Sequence, residues 1–251
     1  MSTPATYTTP TGSTSRLFID CLRQPHLLIA GATRSGKSVF ENGLITAALY
    51  DSPARKRFIF IDPKGTELDI YCTIPHCIEY AHTTAEAVQA LQHAADIVSA
   101  RFKDMRKRHM RVYDGSHIYI IIDELMYLMN RPTIKRQVFD LLQDLLCISA
   151  AAGVHIIAIT QNPTRDTLPP SIRCNFDARL ALRTATRQDS RNIIEIGGCE
   201  RLPSPTTAGK AYGYYRRGGD IDLYELPYTT EDEITRLVNY WTSEAGKPRT
   251  A

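Results

Sequence analysis

Tryptophan occurs once in these 251 residues, and none of the six cysteines forms a C-x-x-C pair. The scattered thiols, Cys21, Cys72, Cys77, Cys147, Cys174 and Cys199, do not read as a disulfide framework or a common zinc site. No signal peptide is evident, so the expected compartment is the reducing cytoplasm, with free thiols. Long apolar runs are also missing. The densest, Ile118 to Ile122, has the length of a strand, so any membrane association would need a partner. A strong charge of either sign is absent as well: 30 Lys and Arg against 27 Asp and Glu leave +3, which allows a nucleic-acid partner without requiring one. No internal repeat is visible. What remains, 43% hydrophobic and 23% charged residues, suits a globular protein with one large α/β core. One local cluster stands out: Cys72, His76, Cys77 and His82. It reads either as a metal site of uncommon spacing or as core cysteines and surface histidines beside a strand.

The richest motif is Gly31-Ala32-Thr33-Arg34-Ser35-Gly36-Lys37-Ser38, a complete G-x-x-x-x-G-K-[ST] phosphate loop. An apolar strand, Leu27 to Ala30, leads in, and a helical stretch, Val39 to Tyr50, leads out. Backbone N–H groups of such a loop surround phosphate oxygens, and the helix N-terminus adds partial positive charge. Lys37 is expected to reach the β- and γ-phosphates of a nucleotide, and Ser38 to ligate Mg2+.

Strands and helices alternate beyond it. Leu17-Phe18-Ile19 reads as a short apolar approach to the first strand, Arg57 to Ile61 as a strand, and Cys77 to Tyr80 as a short one. Thr84, taken as an N-cap, opens a helix to about His109, with Val88, Leu91, Ala95, Val98 and Phe102 on one face. Ile118 to Ile122, Val154 to Thr160 and Ala178 to Leu182 read as buried strands, and Val138 to Leu146 as an amphipathic helix ending near Gly153. A hairpin around Arg216-Arg217-Gly218-Gly219 and a last helix, capped by Thr230 and Glu233, close the chain. The predicted fold class is α/β: a mainly parallel central sheet flanked by helices, with a C-terminal hairpin and helix. The expected organisation is a flexible leader at 1–14, one domain at 15–245 and a tail at 246–251.

Asp123 and Glu124 end the Ile118–Ile122 strand. Beside a phosphate loop, Asp123 suits Mg2+ and Glu124 suits a general base for water. The pair could otherwise cap the next helix. Gln161, at the end of the Val154–Thr160 strand, could orient water or sense the γ-phosphate, or serve as a turn residue. Together these features imply hydrolysis of a nucleoside triphosphate.

In order, the phosphate loop, Ile61-Asp62-Pro63-Lys64, Ile74-Pro75-His76, Asp123-Glu124, Ala152-Gly153-Val154-His155, Ala158 to Pro163, Asp189-Ser190-Arg191 and Gly197 to Leu202 resemble the FtsK/SpoIIIE motor domain. The resemblance covers roughly 15 to 245. It implies a RecA-like P-loop ATPase that forms a hexameric ring and pumps double-stranded DNA, with ATP sites between subunits. Family roles fall on Lys37, Ser38, Asp123, Glu124 and Gln161, with Lys64 and Arg191 as candidates to reach a neighbour's nucleotide. Many relatives carry Arg where this chain has Ala150, and a small residue where it has Arg34. The resemblance is confined to the motor domain, so a stripped motor without a membrane-anchoring region or a DNA-orientation-reading C-terminal domain is expected, from a plasmid, phage or conjugative element with a membrane or relaxosome partner. Relatives with this core also energise protein export, and a non-translocating regulatory ATPase is the third reading.

DNA contact is expected from cations on channel loops. Thr164 to Asn175, carrying Arg165 and Arg173, is the nominated loop. The basic run Arg101, Lys103, Arg106, Lys107, Arg108 and Arg111 reads either as DNA-binding or as the exposed end of a helix.

Overall fold

Runs of Ile, Leu, Val and Phe without polar alternation need cover on both faces, and the fold supplies it. A computed structural model describes residues 7–8, 14–15, 17–50, 53–161, 163–164, 167–205, 211–226 and 229–243. Its elements are β1 (Tyr7–Thr8), β2 (Thr14–Ser15), α1 (Leu17–Arg23), β3 (His26–Ala30), α2 (Lys37–Tyr50), β4 (Lys56–Ile61), β5 (Cys77–Ala81), α3 (Thr84–Lys107) and β6 (His117–Ile122). Then follow α4 (Leu125–Met129), α5 (Pro132–Ile148), β7 (Val154–Thr160), α6 (Pro170–Arg173), β8 (Ala178–Leu182), α7 (Arg187–Ile194), β9 (Ala211–Arg217), β10 (Asp220–Leu226) and α8 (Glu231–Thr242).

The main sheet has eight strands in the order β10-β9-β8-β3-β7-β6-β4-β5. From β8 to β5 every pairing is parallel, and β9 and β10 are added antiparallel at one side. Side chains alternate across the sheet. Leu27, Ile29, Phe58 and Phe60 join one core with Phe18, Phe40, Leu44 and Leu237, under α1, α2 and α8. Leu28, Ile59 and Ile61 join the other with Val88, Leu91, Val138 and Leu142, under α3 and α5. Truncating a fully buried ring such as Phe60 to Ala would cost about 3–5 kcal/mol.

Two local expectations are corrected. Leu17–Arg23 is a helix, because Leu17, Phe18, Cys21 and Leu22 recur at three and four and are all buried. The N-cap of α3 is Thr83, not Thr84: its hydroxyl accepts from the Glu86 N–H, and Glu86 returns to the Thr83 N–H. The reciprocal box at Thr230 and Glu233 is present in α8. Within the segment expected as a leader, β1 and β2 pair antiparallel, and 1–6, 9–13 and 16 lie outside the described residues, as does the 246–251 tail.

Two polar devices brace the sheet. Arg179, in β8 and 4% exposed, donates to the carbonyls of Phe176, Ile193 and Arg173 and to Glu195 Oε1, which Arg216 also reaches. At the N-terminal edge, His155 Nδ1 lies 3.0 Å from the Pro25 carbonyl. A carbonyl only accepts, so Nδ1 carries the proton, and Nε2 accepts from His117 Nδ1 at 2.8 Å. Burial, then His117 and Arg101, push His155 down to about 4, despite the Pro25 bond.

Candidate functional site

Six parallel strands point their C-terminal ends to one edge, and every motif of the phosphate-loop reading sits there. Gly31 follows β3, Asp62 follows β4, Asp123 follows β6, Gln161 follows β7 and Arg183 follows β8. Strand connections diverge on either side of β3, which leaves the crevice in which α/β sheets bind ligands.

The loop is bound into the sheet by Gly31 N–H to the Thr160 carbonyl and Ala32 N–H to the Arg183 carbonyl. Gly31 is required by space: a Cβ there would lie 2.7 Å from Ser35 Oγ and 2.9 Å from Leu182 Cβ. Gly36 is required by its φ of +96°. Lys37 Nζ is folded onto the Gly31 and Ala32 carbonyls, both at 2.9 Å. Burial lowers its pKa, against the opposing pull of Glu124 and Asp123. Ser35 Oγ is buried without a partner. A recess of about 280 Å³ opens beside Arg34, Gly36, Lys37, Ser38, Val39 and Pro205. An unsatisfied hydroxyl, an ammonium resting on its own loop and a backbone cradle with no room for a Cβ fit a phosphate-bearing ligand.

The turn after β4 is organised by Asp62. Its fully buried carboxylate accepts five backbone N–H bonds: from Lys64 and Gly65 on Oδ1, and from Thr66, Glu67 and Leu68 on Oδ2. Burial acts to raise its pKa, but the bonds from Glu67, Leu68, Gly65 and Thr66 together bring it below the ordinary value. The turn presents Lys64, whose Nζ lies 3.4 Å from Glu124 Oε2.

Glu124 stands at the N-cap of α4 in a left-handed conformation, φ 56°, and its side chain makes no capping hydrogen bond. Its Oε1 instead accepts from Thr160 Oγ1 and the Gln161 N–H, each at 3.3 Å. Both carboxylates are more than nine-tenths buried. Burial, then the Asp62 charge, push Asp123 up to about 6, against the pull of Lys64. Hard oxygen donors at Ser38 and Asp123 suit a magnesium ion completed by water and phosphate oxygens. Thr33 Oγ1 donates to Gln161 Oε1 at 3.1 Å, joining the phosphate loop to the end of β7.

The remaining candidates are less closely gathered. Arg34 is exposed with φ 60°, and Arg191 is exposed on α7. Arg173 Nη1 donates to the Asn192 carbonyl, and Arg165 lies outside the described residues. In the basic run, Arg101 stacks over Tyr113 and donates to the Ala152 and Gly153 carbonyls, while Arg108 pairs with Asp104 and Asp114. Those two cations serve the fold. Among the described residues, no group of three or more His, Cys, Asp or Glu side chains is arranged to hold a metal. His76 packs edge-on against Trp241, and His82 pairs with Glu86. Sequence reasoning missed the Asp62 cradle and the Thr160 and Thr33 contacts. Only Asp62 left a signal, as an acid opening a turn.

Comparison with known proteins follows the same line. The sequence signature of the FtsK/SpoIIIE family matches residues 6–213. DNA translocase FtsK of Leptospira interrogans is 34% identical over 92% of this chain and 26% of its own length. That of Haemophilus influenzae is 30% identical over 92% of this chain and 50% of its own. The chain thus spans about a quarter to a half of the curated relatives it matches. Among solved structures, the pCW3 conjugation coupling protein TcpA, in its monomer form with ATPγS, superposes with a TM-score of 0.78 at 20% identity, over 95% of this chain and 70% of TcpA. The cytoplasmic domain of the Thermomonospora curvata type VII secretion ATPase EccC gives 0.74 at 19%, over 94% of this chain and 30% of its own. The structural likeness, at 19–20% identity, shows a shared fold, and the sequence match over most of its length makes this chain a member of the FtsK/SpoIIIE family.

Proposed function

We propose that this chain is an ATP-hydrolysing motor that moves along double-stranded DNA as a ring, with Mg2+ as its cofactor. The observation that carries the reading is the Glu124 carboxylate, held by Lys64, Thr160 and the Gln161 N–H rather than spent on its own helix. Ser38 and Asp123 would hold the magnesium ion, which when bound supplies positive charge against the phosphate oxygens. Lys37 exchanges the Gly31 and Ala32 carbonyls for the β- and γ-phosphates. Glu124 accepts the proton of the attacking water, and its three tethers fix the carboxylate for that transfer. The Thr33–Gln161 bond gives the loop a direct hold on the end of β7, so a change at the phosphates is passed to the segment that follows.

DNA contact is assigned to Arg165 and Arg173, and a neighbour's nucleotide to Arg191, with Lys64 as a second candidate. The FtsK relatives, at 30–34% identity over most of this chain, favour DNA as the substrate. Assembly as a hexamer, work in the cytoplasm and a relaxosome or membrane partner in a mobile element belong to the same proposal. The test is the ATPase rate with and without long double-stranded DNA at two salt concentrations, with Glu124→Gln as the blank. DNA stimulation that falls with salt and vanishes in the variant is expected. Glu124-dependent hydrolysis indifferent to DNA would overturn the DNA assignment in favour of protein export or regulation.

A further inference from the structure

One buried acid at this edge has no role in the chemistry above. Glu41 lies on α2, three residues after Ser38 and four after Lys37, spacings that share a helix face. It is 1% exposed, and neither carboxyl oxygen has a hydrogen-bond partner. The charges it meets are those of Asp123, Glu67, Asp62 and Lys37. Asp62 is saturated by its five N–H bonds, and Lys37 is turned onto the loop carbonyls. Burial, and after it the neighbouring acids, therefore hold the Glu41 carboxyl well above the ordinary range. A lone buried carboxyl is costly unless it gains a partner, and leucine would fill the same helix position without that cost. The group that satisfies two acids with hard oxygens at once is a divalent cation.

We propose that Glu41 is a second carboxylate of the divalent-cation site, acting with Asp123 and the Ser38 hydroxyl to bind a hard cation before nucleotide arrives. The proposal rests on the reading of Ser38 and Asp123 as cation ligands. It makes metal affinity in the empty site a property of this chain rather than of the phosphates.

The test is Mn2+ binding to nucleotide-free protein, followed by electron paramagnetic resonance, for the wild type, Glu41→Gln, Glu41→Leu and Asp123→Asn. Glu41→Leu keeps the fold because it replaces an unpartnered buried acid by an apolar side chain, and Glu41→Gln because it is isosteric with the acid. Saturable wild-type binding, weakened about tenfold to a hundredfold by each substitution, is expected. A second readout is the melting temperature. In EDTA the Glu41→Leu variant melts higher than wild type, and the rise that Mg2+ gives the wild type shrinks in both variants. A purely structural Glu41 would shift both conditions equally. Wild-type Mn2+ affinity in the Glu41 variants, with loss in Asp123→Asn, would overturn this proposal alone. Unchanged affinity in Asp123→Asn as well would remove the Ser38–Asp123 reading with it. A wild type that binds no Mn2+ without nucleotide would overturn the proposal outright.

Discussion

Replacing Asp62 by Asn keeps the shape of the side chain and removes one acceptor oxygen from a cradle of five donors. If the amide nitrogen takes the Oδ1 side, the Lys64 and Gly65 bonds at 3.2 and 2.9 Å are lost, and donor faces donor. If it takes the other, three bonds of 2.9–3.0 Å go. Hydrogen bonds to a charged acceptor contribute about 1.5–3 kcal/mol each. Two are lost and the others become neutral, while water can reach the exposed Lys64, Gly65 and Thr66 amides and the burial cost of the charge disappears. The net loss is about 2–3 kcal/mol, or about 4–12 °C in melting temperature for a chain this size. Urea denaturation of wild type and variant at pH 7 measures it. The sign with pH is also fixed. Asp62 has a folded pKa below the ordinary 3.8, so the unfolded chain takes up the proton first on acidification. Its own contribution is fully present above that value and is lost as pH falls through the folded pKa; because the Asp62 charge also raises Asp123, the gap between the two proteins should narrow as pH rises through about 6. A difference under 0.5 kcal/mol at pH 7, within the ordinary scatter of surface substitutions, would refute the account of the turn.

Gly31→Ala should fold but bind nucleotide at least about tenfold more weakly in a fluorescent-analogue titration, because its methyl meets Ser35 Oγ at 2.7 Å and the Arg183 carbonyl at 3.2 Å. Wild-type affinity would show that the loop is not held as tightly as its contacts state. His155 is neutral when folded, at about 4 against 6.5 unfolded, so the unfolded chain binds the extra proton between those values and stability rises with pH there. Asp123 and Glu41, both raised, carry the opposite slope. The informative quantity is therefore wild type minus His155→Gln, which should grow by about 2 kcal/mol from pH 5 to pH 7. A flat difference in urea midpoints would count against a buried neutral imidazole.

The parts of this site legible in the sequence are those whose geometry is local. A phosphate loop is eight consecutive residues between a strand and a helix, and an acid pair at a strand end points where the strand points. Parallel order then brings separate strand ends to one edge. Strands β3, β6 and β7 were readable because both faces of each are almost wholly buried, which leaves largely apolar runs. The N-cap of α3 was displaced by one because Thr83 and Thr84 are chemically alike, and only the partner three residues on, Glu86, distinguishes them. Thr33 and Gln161 are 128 residues apart, so no pattern within a window joins them. Nor could periodicity foresee that Glu41 would be sealed from water, since its helix has charges on one face that become buried only when β4 and β6 arrive with their own acids. Arg101 and Arg108 looked like part of a DNA-binding run by number alone, and only their carbonyl and carboxylate partners assign them to the fold.

The backbone at Glu124 also constrains the history open to this site. A φ of 56° is tolerated by Gly, Asn and Asp, and at a modest cost by unbranched side chains, whereas a β-branched residue there is a severe outlier. Glu124 can thus be exchanged for Gln, Asn or Gly without breaking the turn into α4, though its bonds to Thr160 and the Gln161 N–H are weakened or lost, but for Val, Ile or Thr at the expense of that turn as well. Related chains that give up the carboxylate and keep their fold are expected to do so through the first set. An amide or glycine at this position in a related sequence would mark a fold kept after its carboxylate was given up.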